Sequence, residues 1–194
     1  MMTDYSIQLI RDIGTSLNTD HSLAEYESGH RLAAVLILIF PGQVEPEVIL
    51  TRRSEHLPTH AGQISFPGGN ISQEDDGPVD TALREAREEI ALVSDPVEIL
   101  GVLDITLLPS GFAVAPVLGI TDNLPALTPN PSEVDEIFSI PLSLVCDLDQ
   151  YRKDFLERDG NIREFYVLDY KDYYIWGATA KMLRTLAKVL IQGK

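Results

Sequence analysis

The stretch TALREAREEIAL, residues 81–92, predicts an amphipathic α-helix that runs over residues 79–91. At about 100° per residue its apolar positions fall in one sector roughly 100° wide, the width of a face that packs on a core. That sector holds Val79, Ala82, Leu83, Ala86 and Ile90. Glu85, Glu88 and Glu89 share a second sector, which we expect to be exposed. The helix therefore concentrates carboxylates on one face.

Two interpretations of this carboxylate face are open. Like charges three or four positions apart disfavour a helix by about 0.2–0.5 kcal/mol per pair. In one interpretation the face is solvated and Arg84 and Arg87 offset the glutamates. In the other, the face binds Mg²⁺ or Mn²⁺, which take oxygen ligands and usually lie beside substrate phosphates. The helix alone does not decide between them.

Composition limits the partners of the chain. It has 194 residues and a formal net charge of -15, which disfavours a general nucleic-acid or anionic-membrane surface because both partners are polyanions. A phosphate-bearing substrate would need local cations or a bound metal. The lone Cys146 excludes an internal disulfide, and we expect it to be a small buried residue. No secretory signal or bilayer-length apolar segment is visible, so we expect a cytoplasmic protein.

Hydrophobic periodicity and turn residues predict one domain, residues 1–194, with an N-terminal helical extension over 1–29. Besides the central helix we expect helices at 5–17 and 177–192, strands at 31–40, 47–53, 63–66, 97–108 and 111–121, an irregular loop at 123–133, a strand or short helix within 136–145, and a β-hairpin turning at Asp159-Gly160. Strands on both sides of the central helix predict an α/β fold with a mixed sheet between helices.

The segment QISFPGG, residues 63–69, precedes the central helix. A strand that ends in Pro-Gly-Gly turns sharply and leaves backbone N–H groups unshielded by side chains. We expect Gly68 and Gly69 to lie in a loop open to phosphate oxygens, although such a turn by itself is common.

Together these segments resemble the box of the Nudix hydrolases, G-x5-E-x7-R-E-U-x-E-E-x-G-U, in which U is apolar. The second half matches at Arg84, Glu85, Ala86, Arg87, Glu88, Glu89 and Leu92. Three features depart from it: Ala91 replaces a glycine, Asp75 replaces a glutamate, and the spacing to Arg84 is one residue longer. We expect alanine to close the helix with a backbone that avoids positive φ.

The segment ILTRRSEHLPTHAGQISFPGG, residues 49–69, resembles the signature of the coenzyme A pyrophosphatase branch of that family. The matching residues are Leu50, Thr51, Arg53, Ser54, Gly62, Phe66, Pro67, Gly68 and Gly69. Ile49 is a mild change, and Pro58 replaces an arginine. The same branch has the longer box spacing, and WGATA, residues 176–180, also resembles it.

The resemblance implies a Nudix fold, with a mixed β-sheet sandwiched between α-helices (α/β/α) and a loop–helix–loop catalytic motif over residues 62–92. It implies that Glu85 and Glu89 are the chief ligands of Mg²⁺ or Mn²⁺, that Glu88 completes the cluster or acts through water, and that Arg84 pairs with a glutamate to orient it. The implied reaction cleaves the pyrophosphate of CoA or an acyl-CoA into 3′,5′-ADP and 4′-phosphopantetheine. The base stays open among Glu85, Glu88, Glu133 and Glu136.

Other residues have competing interpretations. Arg53 is predicted to bind the 3′-phosphate of CoA, with a surface cation as the alternative, and Arg52 points to the opposite face of the strand. His60 is a candidate substrate ligand or a hydrogen-bonded loop residue. Tyr173, Tyr174 and Trp176 are expected in the core or an interface rather than stacked on adenine.

Three other functions compete with CoA hydrolysis. The first is a Nudix hydrolase for ADP-ribose, NADH or a capped RNA end, and the second is a Nudix-fold binding module without turnover. The third is an acidic scaffold helix. Retention of Glu85, Glu88 and Glu89 favours an enzyme, because non-catalytic modules typically lose these acids. The expected partner is a small molecule, with no nucleic acid and no membrane, and a homodimer is one expectation for the assembly.

Overall fold

The computed structural model describes residues 6–15, 17, 23, 26, 27, 29–158 and 161–193. The helices are α1 (Ile7–Gly14), α2 (Pro78–Ile90), α3 (Leu142–Cys146) and α4 (Gly177–Gln192). The strands are β1 (Arg31–Pro41), β2 (Pro46–Arg53), β3 (Ile64–Ser65), β4 (Gly68–Asn70), β5 (Glu98–Val102), β6 (Thr106–Leu107), β7 (Phe112–Ile120), β8 (Val134–Pro141), β9 (Arg152–Arg158), β10 (Asn161–Tyr170) and β11 (Tyr173–Trp176). A 3₁₀ turn spans Leu148–Gln150.

The main sheet is mixed and is organised around β1. Strand β1 runs parallel to β7 from Arg31 opposite Phe112 to Ile39 opposite Ile120. On its other edge β1 pairs antiparallel with β4 near its start and with β2 at its end. Strand β2 then continues between β3 and β8, while β5 and β6 pair antiparallel with β7. The mixed sheet predicted from the sequence is confirmed.

Both faces of the main sheet are buried, as a sheet between helices requires. Along β1, Ile37 and Ile39 pack in a cluster with α1, α3 and α4, whereas Leu36 and Leu38 pack in a second cluster with α2. Strands β9, β10 and β11 form a separate antiparallel sheet that packs beside α4. This arrangement confirms the α/β/α architecture, and Cys146 lies in the first cluster as expected.

The structure corrects the predicted strand 97–108. It is split into β5 and β6, and the interruption lies opposite Pro116 of β7. Proline has no N–H to donate to a neighbouring strand, although its carbonyl accepts a hydrogen bond from the Leu103 N–H at 2.9 Å. The ladder therefore breaks at this position.

The other predicted elements are found with shifted ends. Helix α1 is shorter than predicted and is capped by Ser6, whose hydroxyl accepts a hydrogen bond from the Leu9 N–H at 3.1 Å. The ambiguous segment 136–145 contains the end of β8 and most of α3. Strands β9 and β10 pair antiparallel as predicted, while their turn at Asp159-Gly160 lies outside the described residues. None of the described helices is both long enough and apolar enough to cross a membrane.

Candidate active site

Helix α2 places the predicted carboxylates at the edge of the core. It begins at Pro78, whose missing N–H costs nothing at a helix start, and it buries Ala82, Ala86 and Ile90 against the sheet. The opposite sector is not uniformly solvated, contrary to our expectation. Glu88 is 53% exposed, but the side chains of Glu85 and Glu89 are only 15% and 3% exposed. The simple surface-helix interpretation is therefore wrong for Glu89 and Glu85.

Arg84 forms ion pairs with three acidic residues, one from the preceding loop and two from α2. Its guanidinium donates to Asp75 through Nε and Nη2, at 2.9 and 3.0 Å. It also donates to Glu85 at 2.8 Å and to Glu88 at 3.3 Å, and to the carbonyl of Asn70 at 3.2 Å. These ion pairs raise the pKa of Arg84 above its ordinary value, mainly through Asp75. The predicted pairing of Arg84 with a glutamate is present.

Asp75 anchors this arginine from a buried position. Its side chain is 3% exposed, and its carboxylate also accepts hydrogen bonds from the Ser72 N–H at 2.9 Å and the Thr81 hydroxyl at 2.7 Å. The hydrogen bonds from Arg84 hold the pKa of Asp75 well below its usual range, despite burial. Asp75 thus pairs with Arg84 at the position where the sequence pattern has a glutamate.

Glu89 is the most deeply buried of the three glutamates on α2. Its Oε2 accepts a hydrogen bond from the Gly68 N–H at 3.2 Å, and its Oε1 lies 3.7 Å from a guanidinium nitrogen of Arg53. Burial raises the pKa of Glu89 to about 7, and the negative charges of Glu85 and Glu133 add to this rise. One hydrogen bond and one cation therefore do not fully offset the burial of this charge.

The two glycines of Pro-Gly-Gly serve the carboxylates, which corrects the expected open loop. Residues Gly68–Asn70 form strand β4, and the Gly68 N–H is donated to Glu89. A Cβ on Gly69 would lie 2.5 Å from the Glu85 carboxylate, and one on Gly68 would lie 2.4 Å from the Ala34 carbonyl. Burial raises the pKa of Glu85 as well. Gly69 leaves the space that the Glu85 carboxylate occupies, and Gly68 lets β4 pack closely against β1.

Arg52 and Arg53 point to opposite faces of β2, as predicted. Arg53 reaches Glu89, and its buried Nε has no hydrogen-bond partner among the described residues. Arg52 pairs with Glu136 at 2.7 Å, and Glu136 also accepts a hydrogen bond from the Tyr173 hydroxyl at 2.7 Å. Glu136 is therefore engaged on the other side of the strand and is a poor candidate for the base.

Glu133 is the remaining candidate base outside α2, and its loop is fixed to the helix. The Asn130 N–H donates to the Glu89 carbonyl at 2.8 Å, and the Glu133 N–H donates to the Asn130 carbonyl at 2.9 Å. The Glu133 carbonyl in turn accepts from the Ser54 N–H at 2.9 Å. The charge of Glu133 raises the pKa of both Glu85 and Glu89, so this carboxylate lies within electrostatic range of the cluster.

His60 lies apart from these contacts on an exposed loop. Its Nδ1 is 2.8 Å from the Gln63 Oε1, and its backbone has a φ of 58°. The structure thus shows the hydrogen-bonded loop histidine that was one of its two interpretations.

Comparison with known proteins decides the family. Residues 30–162 match the model of the NUDIX domain. The chain belongs to the NUDIX domain family. Proteins named "Uncharacterized Nudix hydrolase NudL" from Yersinia pestis (strain Pestoides F) and Yersinia pseudotuberculosis serotype O:1b (strain IP 31758) are each 40% identical to it over 166 residues, or 84% of this chain and 81% of theirs.

Solved structures support the Nudix fold. The MutT/nudix family protein from Enterococcus faecalis aligns with a TM-score of 0.51 over 97% of this chain and 76% of its own, at 17% identity. The Nudix hydrolase RenU from M. smegmatis aligns with a TM-score of 0.51 over 61% of this chain and 75% of its own, at 20% identity. These likenesses concern the fold alone.

The donor atoms of this Nudix site suit a hard divalent cation. Within the described ranges, no three aspartate, glutamate, histidine or cysteine side chains are already grouped closely enough to hold a metal ion. Arg84 instead engages Glu85 and Glu88, and Gly68 engages Glu89. The donors are nevertheless all carboxylate oxygens, and burial raises the pKa of Glu85 and Glu89, a cost that a nearby dication would offset.

Sequence reasoning missed several contacts of this Nudix site. It did not identify Asp75 as the buried partner of Arg84, Gly68 as a donor to Glu89, or Arg53 as the cation beside Glu89. The role of Asp75 could have been predicted, because Asp75 occupies the acidic position of the box. The contacts to Glu89 had none, because they depend on how β2 and β4 lie beside α2.

Proposed function

We propose that this Nudix-family protein is a metal-dependent hydrolase of a nucleoside diphosphate derivative, and that its substrate is CoA or a CoA derivative. The observation that carries the proposal is the set of carboxylates Glu85, Glu88 and Glu89 on α2, held by Arg84, Gly68 and Gly69. Burial raises the pKa of Glu89 to about 7, which favours a metal site over a scaffold helix because a bound dication would offset the cost of burying the charge.

The residues of the site have separate roles in this proposal. Glu85 and Glu89 would hold Mg²⁺ or Mn²⁺, with Glu88 completing the set or acting through water. The bound cation would supply neutralisation of the pyrophosphate charge and a lowered pKa for a bound water. Arg84 orients Glu85 and Glu88, and Asp75 fixes Arg84 through two parallel hydrogen bonds. Arg53 places a cation beside Glu89, where the pyrophosphate would lie.

Hydrolysis adds one water across the pyrophosphate. The water oxygen attacks one phosphorus, the bond from that phosphorus to the bridging oxygen breaks, and the bridging oxygen leaves on the other phosphate. The proton from water needs a carboxylate acceptor. We assign this role to Glu133, because its loop is fixed against α2 and its charge acts on both Glu85 and Glu89. Glu85 and Glu88 are the alternatives.

CoA is favoured by the segment at residues 49–69, which resembles the CoA pyrophosphatase branch and contributes Arg53 and Gly68 to the site. ADP-ribose, NADH and a capped RNA end are the alternatives that share the same chemistry, and the net charge of -15 disfavours the RNA end. A binding module without turnover is disfavoured because all three box glutamates are retained.

The test is a substrate panel with purified protein. We expect CoA to be cleaved in Mg²⁺ or Mn²⁺ to 3′,5′-ADP and 4′-phosphopantetheine, and not with a chelator present. Reaction in ¹⁸O water identifies the attacked phosphorus by mass spectrometry. A clear preference for ADP-ribose or NADH over CoA would refute the proposed substrate but retain the reaction. No turnover of any member with either metal would refute the enzyme.

A further inference from the structure

A cavity of about 320 Å³ lies on the side of β2 opposite to Arg53. One wall is made by Arg52 and by the loop residues Ala61, Gly62 and Gln63. The facing wall is made by β11, through Tyr173, Tyr174 and Trp176. The cavity falls within the size range of small-molecule sites, and no residue of α2 lines it.

Each wall includes residues from a segment that resembles the CoA branch and lies outside the acidic helix. Residues 49–69 supply Arg52 and the loop, and the WGATA segment, residues 176–180, supplies Trp176. The segments are fastened together: the buried Thr179 hydroxyl donates to the Ile64 carbonyl at 2.9 Å. Gly62 and Trp176, which match the branch and take no part in the proposed reaction, therefore meet at one cavity.

The charges of the lining favour a neutral occupant. Arg52 is already paired with Glu136, and Glu55 and Asp172 add two further acids to the walls. A phosphate would meet no uncompensated cation here and would be repelled. Aromatic faces together with amide, carboxylate and hydroxyl groups suit a flexible chain of amides and short alkyl groups.

Consecutive residues of β2 contribute to the cavity and to the carboxylate site. Arg52 lines the cavity, and the next residue, Arg53, lies 3.7 Å from Glu89. The loop that follows is tied to the strand carrying the candidate base, since the Glu55 N–H donates to Asp135 at 3.0 Å. A substrate cleaved at Glu89 would have to extend around the end of β2 to reach the cavity.

We propose that this cavity receives the uncharged pantetheine arm of the substrate and is the part of the protein that selects CoA. The inference rests on the proposed function for the identity of the substrate. It assigns selection to a subsite that makes no contact with the reacting phosphates.

Trp176 makes the inference directly testable, because it is the only tryptophan of the chain and lines the cavity. Pantetheine, which has no phosphate, is titrated into the full chain with a chelator present, and the indole N–H signal is followed by NMR. A saturable shift with a Kd of about 0.1 mM is expected for a neutral fragment of this size.

Matched variants separate the cavity from general effects. Ala61→Phe fills this cavity from an exposed loop, whereas Gln192→Phe places the same ring at a cavity of about 330 Å³ between α1 and α4. We expect Ala61→Phe to weaken pantetheine binding and raise the KM for CoA by about tenfold or more. Gln192→Phe should match the wild type in both measurements.

The outcomes distinguish this inference from the proposed function. An indole signal that does not respond to pantetheine, or Ala61→Phe that binds like the wild type, overturns the subsite even if CoA is cleaved. Failure of the wild type to cleave CoA overturns the proposed substrate. Pantetheine binding is measured without turnover, so it tests the subsite independently of that result. Circular dichroism of Ala61→Phe checks that the fold is intact.

Discussion

Replacing Glu89 by glutamine should stabilise the metal-free protein at neutral and higher pH. The Glu89 side chain is 3% exposed, and burial raises its pKa to about 7 from an ordinary 4.5. Glutamine keeps the shape of the side chain and an oxygen that can accept the hydrogen bond from the Gly68 N–H at 3.2 Å. The substitution therefore removes a buried charge and retains most of the packing.

The sign and size follow from the two pKa values. Because folded Glu89 holds its proton more tightly than unfolded Glu89, its contribution to stability is complete below pH 4.5 and is lost as the pH rises through about 7. At about 1.36 kcal/mol per pKa unit, the loss amounts to about 3 kcal/mol at pH 8. For a chain of this size that free energy corresponds to a Tm difference of roughly 6–12 °C.

The assay is thermal and urea unfolding in a chelator from pH 4.5 to 8.5. The wild type should lose stability relative to Glu89→Gln as the pH rises, and the two curves should converge at the acidic end. Glu88→Gln is the control, because its carboxylate is 53% exposed and its loss should change stability by less than about 1 kcal/mol. Mg²⁺ at pH 8 should stabilise the wild type and not Glu89→Gln. A Glu89→Gln protein no more stable than the wild type at pH 8 would refute the reasoning.

Three further predictions address turnover and the end of α2. Glu85→Gln should reduce kcat by about a hundredfold or more at saturating metal. The control Glu74→Gln changes an exposed acid outside the cluster and should leave kcat unchanged. Equal kcat values for the two variants would contradict the role of Glu85 as a metal ligand. Arg53→Ala should lower kcat/KM for CoA and dephospho-CoA equally, by about 10- to 100-fold, because Arg53 lies beside Glu89. A loss confined to CoA would instead show that Arg53 binds the 3′-phosphate, as the sequence predicts. Ala91→Gly should raise the free energy of unfolding in urea by about 1 kcal/mol, because Ala91 has a positive φ that glycine adopts without strain. The control Ala178→Gly lies in helix α4 and should lower it. A less stable Ala91→Gly protein would show that the backbone of Ala91 is not strained.

The elements with strong periodicity were predictable from the sequence. The alternation of apolar and carboxylate sectors located α2 to within a residue of each end, and the long apolar run located β1. Period alone fixes which residues share a face, and this was enough to bring Glu85, Glu88 and Glu89 together. It could not say how much of the carboxylate face is covered, because β4 and the loop carrying Glu133 come from elsewhere in the chain.

Local conformation was harder to predict where a residue type departs from its usual preference. Ala91 was expected to avoid positive φ, but it closes α2 with a φ of 54° in the left-handed region. The structure explains why the strain is accepted: the Ala91 N–H donates to the Arg87 carbonyl at 3.1 Å, and Leu92, which follows at once, is buried in the core. Burial of Leu92 outweighs a cost of about 1–2 kcal/mol for the alanine.

The link between Pro-Gly-Gly and the acidic helix is physical, although the sequence shows only that they lie fifteen residues apart from Gly69 to Arg84. A Cβ on residue 69 would clash with the Glu85 carboxylate, so this position requires glycine. The Gly68 N–H donates a hydrogen bond to Glu89. Asn70, the next residue, gives its carbonyl to Arg84. Each residue of β4 therefore holds one member of the site, so a change of a single position in the alignment of β4 with α2 would misplace all three. Residues 68–70, which the sequence predicts to be a turn, therefore form a strand that positions the carboxylates.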